Sequence, residues 1–379
     1  MAIEGELTLR LDWDGRRVRR VTVRSTRPFG AARVLERRTP ADAAATAPLL
    51  FSICGRAQGA AAHAALDAAT GAVAAPDDAA QLGGAVRLET VQEYLWRLLI
   101  DWPKAMGREP VVAPVAAARQ RIAALAAGTP AADAQAAVAG ALAGLAAEHV
   151  YGRPPAAWLA LPDASAFDAW AREGRTLPAQ LLAALDGVAR GLGRSDVPLM
   201  PEPDRAALLS TVVPVLRGEP AFGRAPDWAG TPVETGALAR TRGQPLVAAL
   251  LQRDGNAVRT RMAARLVELA QLVEGLGQLR REAPVRPWVE SLPLSPGEGL
   301  GAVETARGLL LHRACVADGT VAAYQIVAPT EWNFHARGAA VRGLDGVEVS
   351  NEGALVQCAR LVVQALDPCV ACNVEVGHA

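Results

Sequence analysis

The apolar pattern of this 379-residue chain changes period twice, and this limits the folds open to it. Near the start, Leu7, Leu9 and Leu11 alternate with polar residues, Asp14-Gly15 supplies a turn, and the alternation resumes through Val18, Val21 and Val23. That reads as a β-hairpin over residues 5–25. From Ala41 to about residue 281 the chain runs in alanine- and leucine-rich stretches, broken by proline and glycine clusters near Pro110, Pro154, Pro198 and Gly218, as packed helices require. The clearest helix spans Ala257 to Leu279, with Met262, Leu266, Leu269, Val273 and Leu276 on one face and Arg261, Glu268 and Glu274 able to face water. Pro284 to Gly301, with four prolines and three glycines, reads as an irregular connector. Strand-like Leu309–Val316 and Val321–Val327 then flank an Asp318-Gly319 turn, and a last helix from Asn351 to Ala365 ends at Asp367-Pro368. The expectation is an α+β chain, mainly helical, with small hairpins near the N-terminus and around 305–330. It is expected to form one domain over 1–379: hairpin 5–25, helical body 41–281, and a C-terminal β segment with a terminal thiol-bearing lid over 302–379.

About half the residues (51%) are apolar, enough for a sizeable core. Lysine plus arginine equal aspartate plus glutamate at 39 each, which gives no overall field to draw nucleic acid or an anionic membrane. Neither a cationic leader nor an apolar run of bilayer length is apparent, so a cytoplasmic protein is expected. The alanine richness itself reads as a compositional bias. Five cysteines (Cys54, Cys315, Cys358, Cys369, Cys372) make an odd set and argue for reduced thiols rather than a disulfide framework.

Two of them form Asp367-Pro368-Cys369-Val370-Ala371-Cys372. A Cys-x-x-Cys pair can share a soft metal or close a disulfide, and the chemistry alone leaves zinc, copper(I), iron and nickel open. A zinc ribbon needs a second pair and a thioredoxin-like site needs a following helix, but only seven residues follow Cys372. The pair is therefore a terminal lid that must fold back to find other ligands. Cys54, in Phe51-Ser52-Ile53-Cys54-Gly55 ahead of a helix from Gln58 to Ala69, is the natural partner, although a cysteine after an apolar run can equally be packing. Val91 to Pro103 reads as an aromatic-bearing helix ending at proline, either core or partner surface, and Arg16-Arg17-Val18-Arg19-Arg20 as a solvated hairpin face.

These residues resemble a family. The terminal motif is similar to the C-terminal metal-binding motif of nickel–iron hydrogenase large subunits, and Thr39-Pro40-Ala41-Asp42 followed by Ile53-Cys54-Gly55 resembles that family's N-terminal cysteine motif. Gly236-Ala237-Leu238-Ala239-Arg240, Glu304-Thr305-Ala306-Arg307-Gly308 and Tyr324–Asn333 resemble further family segments, in family order; about 107–216 has no counterpart. The resemblance implies a reduced large-subunit-like fold. In the enzymes two Cys-x-x-Cys pairs hold nickel, and the second cysteine of each bridges to an iron bearing cyanide and carbon monoxide.

The departures from the family lie on the nickel side. The second N-terminal cysteine is Ala57, the nearby family histidine falls on Ala61 with His63 two places late, the proton-passing glutamate falls on Ala32, and the terminal histidine falls on Glu375. Cys54, Cys369 and Cys372 remain as thiolate ligands, while Arg307, Pro329 and Thr330 match positions that surround the cyanides with donors. Arg307 could otherwise be an ordinary ion-pair arginine. The resemblance therefore implies a maturation scaffold of the HupK/HoxV type, not an enzyme, that transiently holds the Fe(CN)2CO group and has little use for nickel. Its implied partners are maturation chaperones of the HypC/HypD type and the hydrogenase large-subunit precursor. A divergent redox subunit and a metal-free decoy that binds the chaperones are the alternatives; Cys315 and Cys358 are left without a role.

Overall fold

The computed structural model describes residues 5–51, 53–72, 76–126, 132–187, 190–276 and 287–378. The chain divides into two compact units, Met1–Val86 with Ser195–Ala239 and Arg286–Ala379, and Arg87–Arg194 with Arg240–Val285.

The first unit holds both sheets. Its strands are β1 (Glu6–Trp13), β2 (Val18–Ser25), β3 (Val289–Ser295), β4 (Glu298–Thr305), β5 (Gly308–Ala317), β6 (Thr320–Val327) and β7 (Ala371–His378). One sheet has the order β2-β1-β7 and the other β3-β4-β5-β6. The N-terminal hairpin forms as the alternation requires: Leu9 lies opposite Val23 and Leu11 opposite Val21, with Leu7, Leu9 and Leu11 buried. The basic run stays on the surface, where Arg19 pairs with Asp14 and Arg16 with Glu348. The terminal thiol pair leads into a strand: β7 runs parallel to β1, with Cys372 opposite Leu7.

The second sheet corrects the expected connector. Residues 289–295 and 298–305 are strands, and the proline and glycine that argued against them have specific places. Pro293 lies on β3, an edge strand, where a missing N–H costs no ladder bond on the open side. Gly299 and Gly301 lie on β4 beneath the helix Gly55–Thr70. A Cβ on Gly299 would sit 2.2 Å from the Ala65 carbonyl oxygen, and one on Gly301 2.2 Å from that of Ala61. The alanines of this helix are therefore more than bias, because small side chains on one partner and none on the other let the two backbones meet. The helix also begins earlier than expected, at Gly55, so that Cys54 is its N-cap. The last helix, Glu352–Leu366, is capped by the Asn351 side chain, which accepts from the Ala354 N–H at 2.9 Å, and it stops at Asp367 in a left-handed conformation (φ 54°).

Glu298 opens β4 and is held by Arg217, Arg313 (2.6 Å) and Ser295 (2.8 Å). The Arg217 hydrogen bond, with help from Ser295 and Arg313, lowers its carboxyl from 4.5 to about 2 against the opposing effect of burial. A depressed acid stabilises the fold fully above its unfolded value and loses that contribution as pH falls from about 4.5 to about 2. Urea midpoints should therefore decline across that window, and Glu298→Gln should flatten the decline; an unchanged profile would show that the ion cluster contributes nothing to stability.

The second unit is helical. Its central helix, Val258–Gly275, matches the expected one to its C-terminal end, residues 277–279 lying outside the described chain. Its polar face does not go to water as expected. Arg261 and Glu268 are buried, and only Glu274 is exposed. Arg261 donates to the Gly193 carbonyl at 2.8 Å, and Glu268 accepts from Tyr94 (2.5 Å) and Arg240 (2.6 Å). A helix apolar around most of its circumference can be buried only if its charges find partners. Tyr94, Leu95, Leu98 and Leu99 are core, but Pro103 does not end their helix. The helix Pro76–Trp96 passes through a π-helical turn, Arg97–Asp101, into Trp102–Ala105. The Leu99 carbonyl, which Pro103 cannot serve, accepts instead from the Val111 N–H at 2.9 Å. Among the described residues no helix is long and apolar enough to cross a membrane.

Candidate metal centre

Three sequence islands meet in the first unit around one turn, the Ala306-Arg307 link between β4 and β5. Gly236 (φ 116°) and Gly308 (φ 124°) make the approach possible: a Cβ on Gly236 would press the Arg307 carbonyl oxygen at 3.1 Å, and one on Gly308 would strike the Thr235 side chain at 2.3 Å. Polar groups fasten the same link. Thr305 Oγ1 accepts from the Arg307 N–H (3.1 Å), Thr235 Oγ1 accepts from the Leu309 N–H (3.0 Å), and Asn333 accepts from the Thr235 N–H (2.9 Å) while donating to the Arg307 carbonyl (3.3 Å). Asn333 thus bonds to the other two islands at once. Within the Tyr324–Asn333 block, no local sequence signal points to this role.

The clamp delivers Arg307, only 4% exposed, to the C-terminal motif, where its Nε lies 3.6 Å from Asp367 Oδ1. Two residues on, Cys369 is buried, its N–H donates to Thr330 Oγ1 (3.2 Å), and its sulfur lies 3.1 Å from the same oxygen. Pro329 starts the short helix Pro329–Asn333 that carries Thr330. The motif thus makes two buried polar contacts two residues apart, Asp367 with Arg307 and Cys369 with Thr330. Asp367 takes part although the sequence offered it only as part of a motif.

The other two thiols sit differently. Cys372 is half-buried on the edge strand β7, and burial pushes its thiol up to about 11. Cys54, at the helix N-cap, packs beside an apolar cluster that includes Ala57, Ala61, Leu310 and Ala328. All five cysteines are reduced, and among the described residues no three of His, Cys, Asp and Glu are gathered at metal-binding range. Ala32 is buried among Leu35, Ala62 and Tyr324. Burial raises the thiols of Cys315, on β5, and Cys358, in the last helix.

A second buried polar chain reaches Cys54. The Gln58 side-chain amide nitrogen donates to the Cys54 sulfur (3.6 Å) one helical turn away, and its carbonyl oxygen lies 2.8 Å from His312 Nε2. His312 Nδ1 lies 2.8 Å from the Tyr324 hydroxyl. His312 is fully buried on β5, and desolvation pulls it down to about 3, so it is neutral. No sequence motif marks His312, and its partner lies 254 residues away.

This fold and this site define a nickel-dependent-hydrogenase-like protein. The family described as nickel-dependent hydrogenase matches residues 244–375. The Ni-Fe-Se hydrogenase of Desulfovibrio vulgaris Hildenborough shares the fold, with a TM-score of 0.58 at 19% identity over 94% of both chains. That of Desulfomicrobium baculatum does so with a TM-score of 0.57 at 18% identity over 95% of both. The chain belongs to the HoxV/HupK family of hydrogenase expression/formation proteins. It is 32% identical to HoxV of Cupriavidus necator over 92% of this chain and 91% of that one, and 34% identical to HupK of Azotobacter vinelandii over 96% of each. The likeness to HupV of Azotobacter chroococcum is 32%, again over 96% of each.

Proposed function

We propose that the chain serves hydrogenase maturation as a non-catalytic scaffold, holding the Fe(CN)2CO group through Cys369 and Cys372, with Cys54, before it passes to the large-subunit precursor. The observation that carries this reading is the two buried contacts of the C-terminal motif, Asp367 with Arg307 and Cys369 with Thr330, taken with the replacement of a second N-terminal thiolate by Ala57. Thiolates are soft ligands suited to low-valent iron. A buried cyanide nitrogen needs a donor, because leaving it unpaired costs about 1–3 kcal/mol, and Arg307 and Thr330 are the donors at hand. The incomplete thiolate set suits a carrier, which must both collect and surrender its cargo. An alanine at position 32 cannot relay a proton, which fits a protein that does not turn over hydrogen. Relatives named for hydrogenase expression and formation support the same setting. The partners this reading requires are HypC/HypD-type chaperones and the precursor, all meeting in the cytoplasm.

Infrared spectra of protein isolated from cells that make the group should show cyanide and carbonyl bands with iron and little nickel. In Cys369→Ser/Cys372→Ser the bands should vanish, and hydrogenase activity of the cells should fall by more than about tenfold, since even outer-sphere changes cost that much. Stoichiometric nickel or hydrogen oxidation by the protein itself would overturn the scaffold reading. Unchanged maturation in the double variant would leave a metal-free decoy.

A further inference from the structure

We propose that Tyr324, His312 and Gln58 form a directed hydrogen-bond chain whose last link is an N–H donated to the Cys54 sulfur, which makes Gln58 the positioning residue for this thiolate. The inference rests on the reading of Cys54 as a ligand, but the geometry that carries it involves no metal.

The direction follows from counting protons. A neutral imidazole has one N–H, so one nitrogen of His312 donates and the other accepts. The Gln58 carbonyl oxygen faces Nε2 and can only accept, so Nε2 carries the proton. Nδ1 is then the acceptor, and the Tyr324 hydroxyl donates to it. With its oxygen committed to His312, Gln58 turns its NH2 toward Cys54, and the sulfur receives a hydrogen bond. Each group is held by the one before it. Tyr324 is buried on β6, His312 is wholly buried on β5, and Gln58 is 2% exposed in the first turn of Gly55–Thr70. Reversing the amide would require the His312 tautomer and the Tyr324 hydroxyl to reverse with it, and would face a carbonyl toward the sulfur, which a thiolate could not satisfy.

A thiolate or a metal-bound sulfur accepts hydrogen bonds and cannot donate them, so a fixed donor at that sulfur favours the ligating form. Gln58 and Thr330 thus stand in similar places: each sets a polar side-chain atom against a cysteine sulfur.

The test has two arms. In the metal-free full-length protein, nitrogen-15 spectra should show His312 as the Nε2–H tautomer, and the Gln58 side-chain amide resonances should shift in Cys54→Ala. An Nδ1–H tautomer, or amide signals indifferent to Cys54→Ala, overturns the chain whatever the protein carries. In protein isolated from cells making the iron group, Gln58→Leu and the nearly isosteric Gln58→Met both remove the donor. Both should lose iron on the order of tenfold and move the carbonyl band relative to the parent, while their circular dichroism stays that of the folded parent. Parental iron content and band position in both variants would also overturn it. If the parent itself carries no iron, the scaffold reading fails and the first arm alone decides the chain.

Discussion

Gly301→Ala, the addition of one methyl group, should destabilise the first unit by about 3 kcal/mol or more, at the upper end of what overpacking usually costs. The new Cβ would lie 2.2 Å from the Ala61 carbonyl oxygen and 2.9 Å from the Ala65 nitrogen, both backbone atoms of the helix Gly55–Thr70. A side chain could rotate away from such a clash, but a helix backbone can only move bodily, and this helix carries Cys54 at its N-cap and Gln58 in its first turn. The thermal midpoint should drop by roughly 6 °C or more, and the Gln58 amide resonance should broaden or shift as the helix lifts from β4. Gly218→Ala is the matched control: nothing lies within 4 Å of its Cβ position and its φ is ordinary, so it should be near neutral. Equal midpoints for the two variants would mean that the flush contact of helix and strand does not hold this unit together.

The same contact shows where the sequence was legible. Strands with clean alternation and a turn between them, β1 with β2 and β5 with β6, could be read locally, as could the Asn351 cap of the last helix, because each signal lies within a few residues of its effect. β3 and β4 could not. Gly299 and Gly301 look like loop residues until a helix from residues 55–70 is laid against them, and that partner is more than two hundred residues away. β7 is hidden for the same reason, since its pairing with β1 spans nearly the whole chain. The buried charges of Val258–Gly275 failed in the opposite sense: period alone sends Arg261 and Glu268 to water, and only Tyr94, Arg240 and Gly193, all remote in sequence, explain why they stay inside.

The site divides along the same line. Cys369, Thr330 and Arg307 were singled out by family likeness, and the structure sets Thr330 on Cys369 and Arg307 on Asp367. The likeness did not supply how Arg307 is held there, by the positive-φ glycines Gly236 and Gly308 and by the amide of Asn333. Gln58 lies outside every motif that carried the likeness, which is why only coordinates connect it to Cys54.

Asp367→Asn should be among the most damaging single substitutions in the C-terminal motif, costing about 3–5 kcal/mol, the range for removing one member of a buried ion pair. Both side chains are almost wholly buried, at 3% and 2% exposed, so the guanidinium of Arg307 would lose the charge of Asp367 where water cannot replace it. Asparagine isolates the charge. It has nearly the same shape, and it tolerates the left-handed backbone of Asp367 (φ 54°), so neither a cavity nor strain enters the comparison. Adding Arg307→Met removes the stranded charge as well, and the double variant should recover a good part of the loss, since a buried pair often costs nearly as much in desolvation as it returns in attraction. Chemical denaturation of the two single variants and the double variant closes the cycle. A cost below about 1 kcal/mol for Asp367→Asn, with no coupling to Arg307→Met, would mean that the pair does not hold the turn. Arg307 would then owe its buried place in the turn to the clamp of Gly236, Gly308 and Asn333 and not to the carboxylate of Asp367.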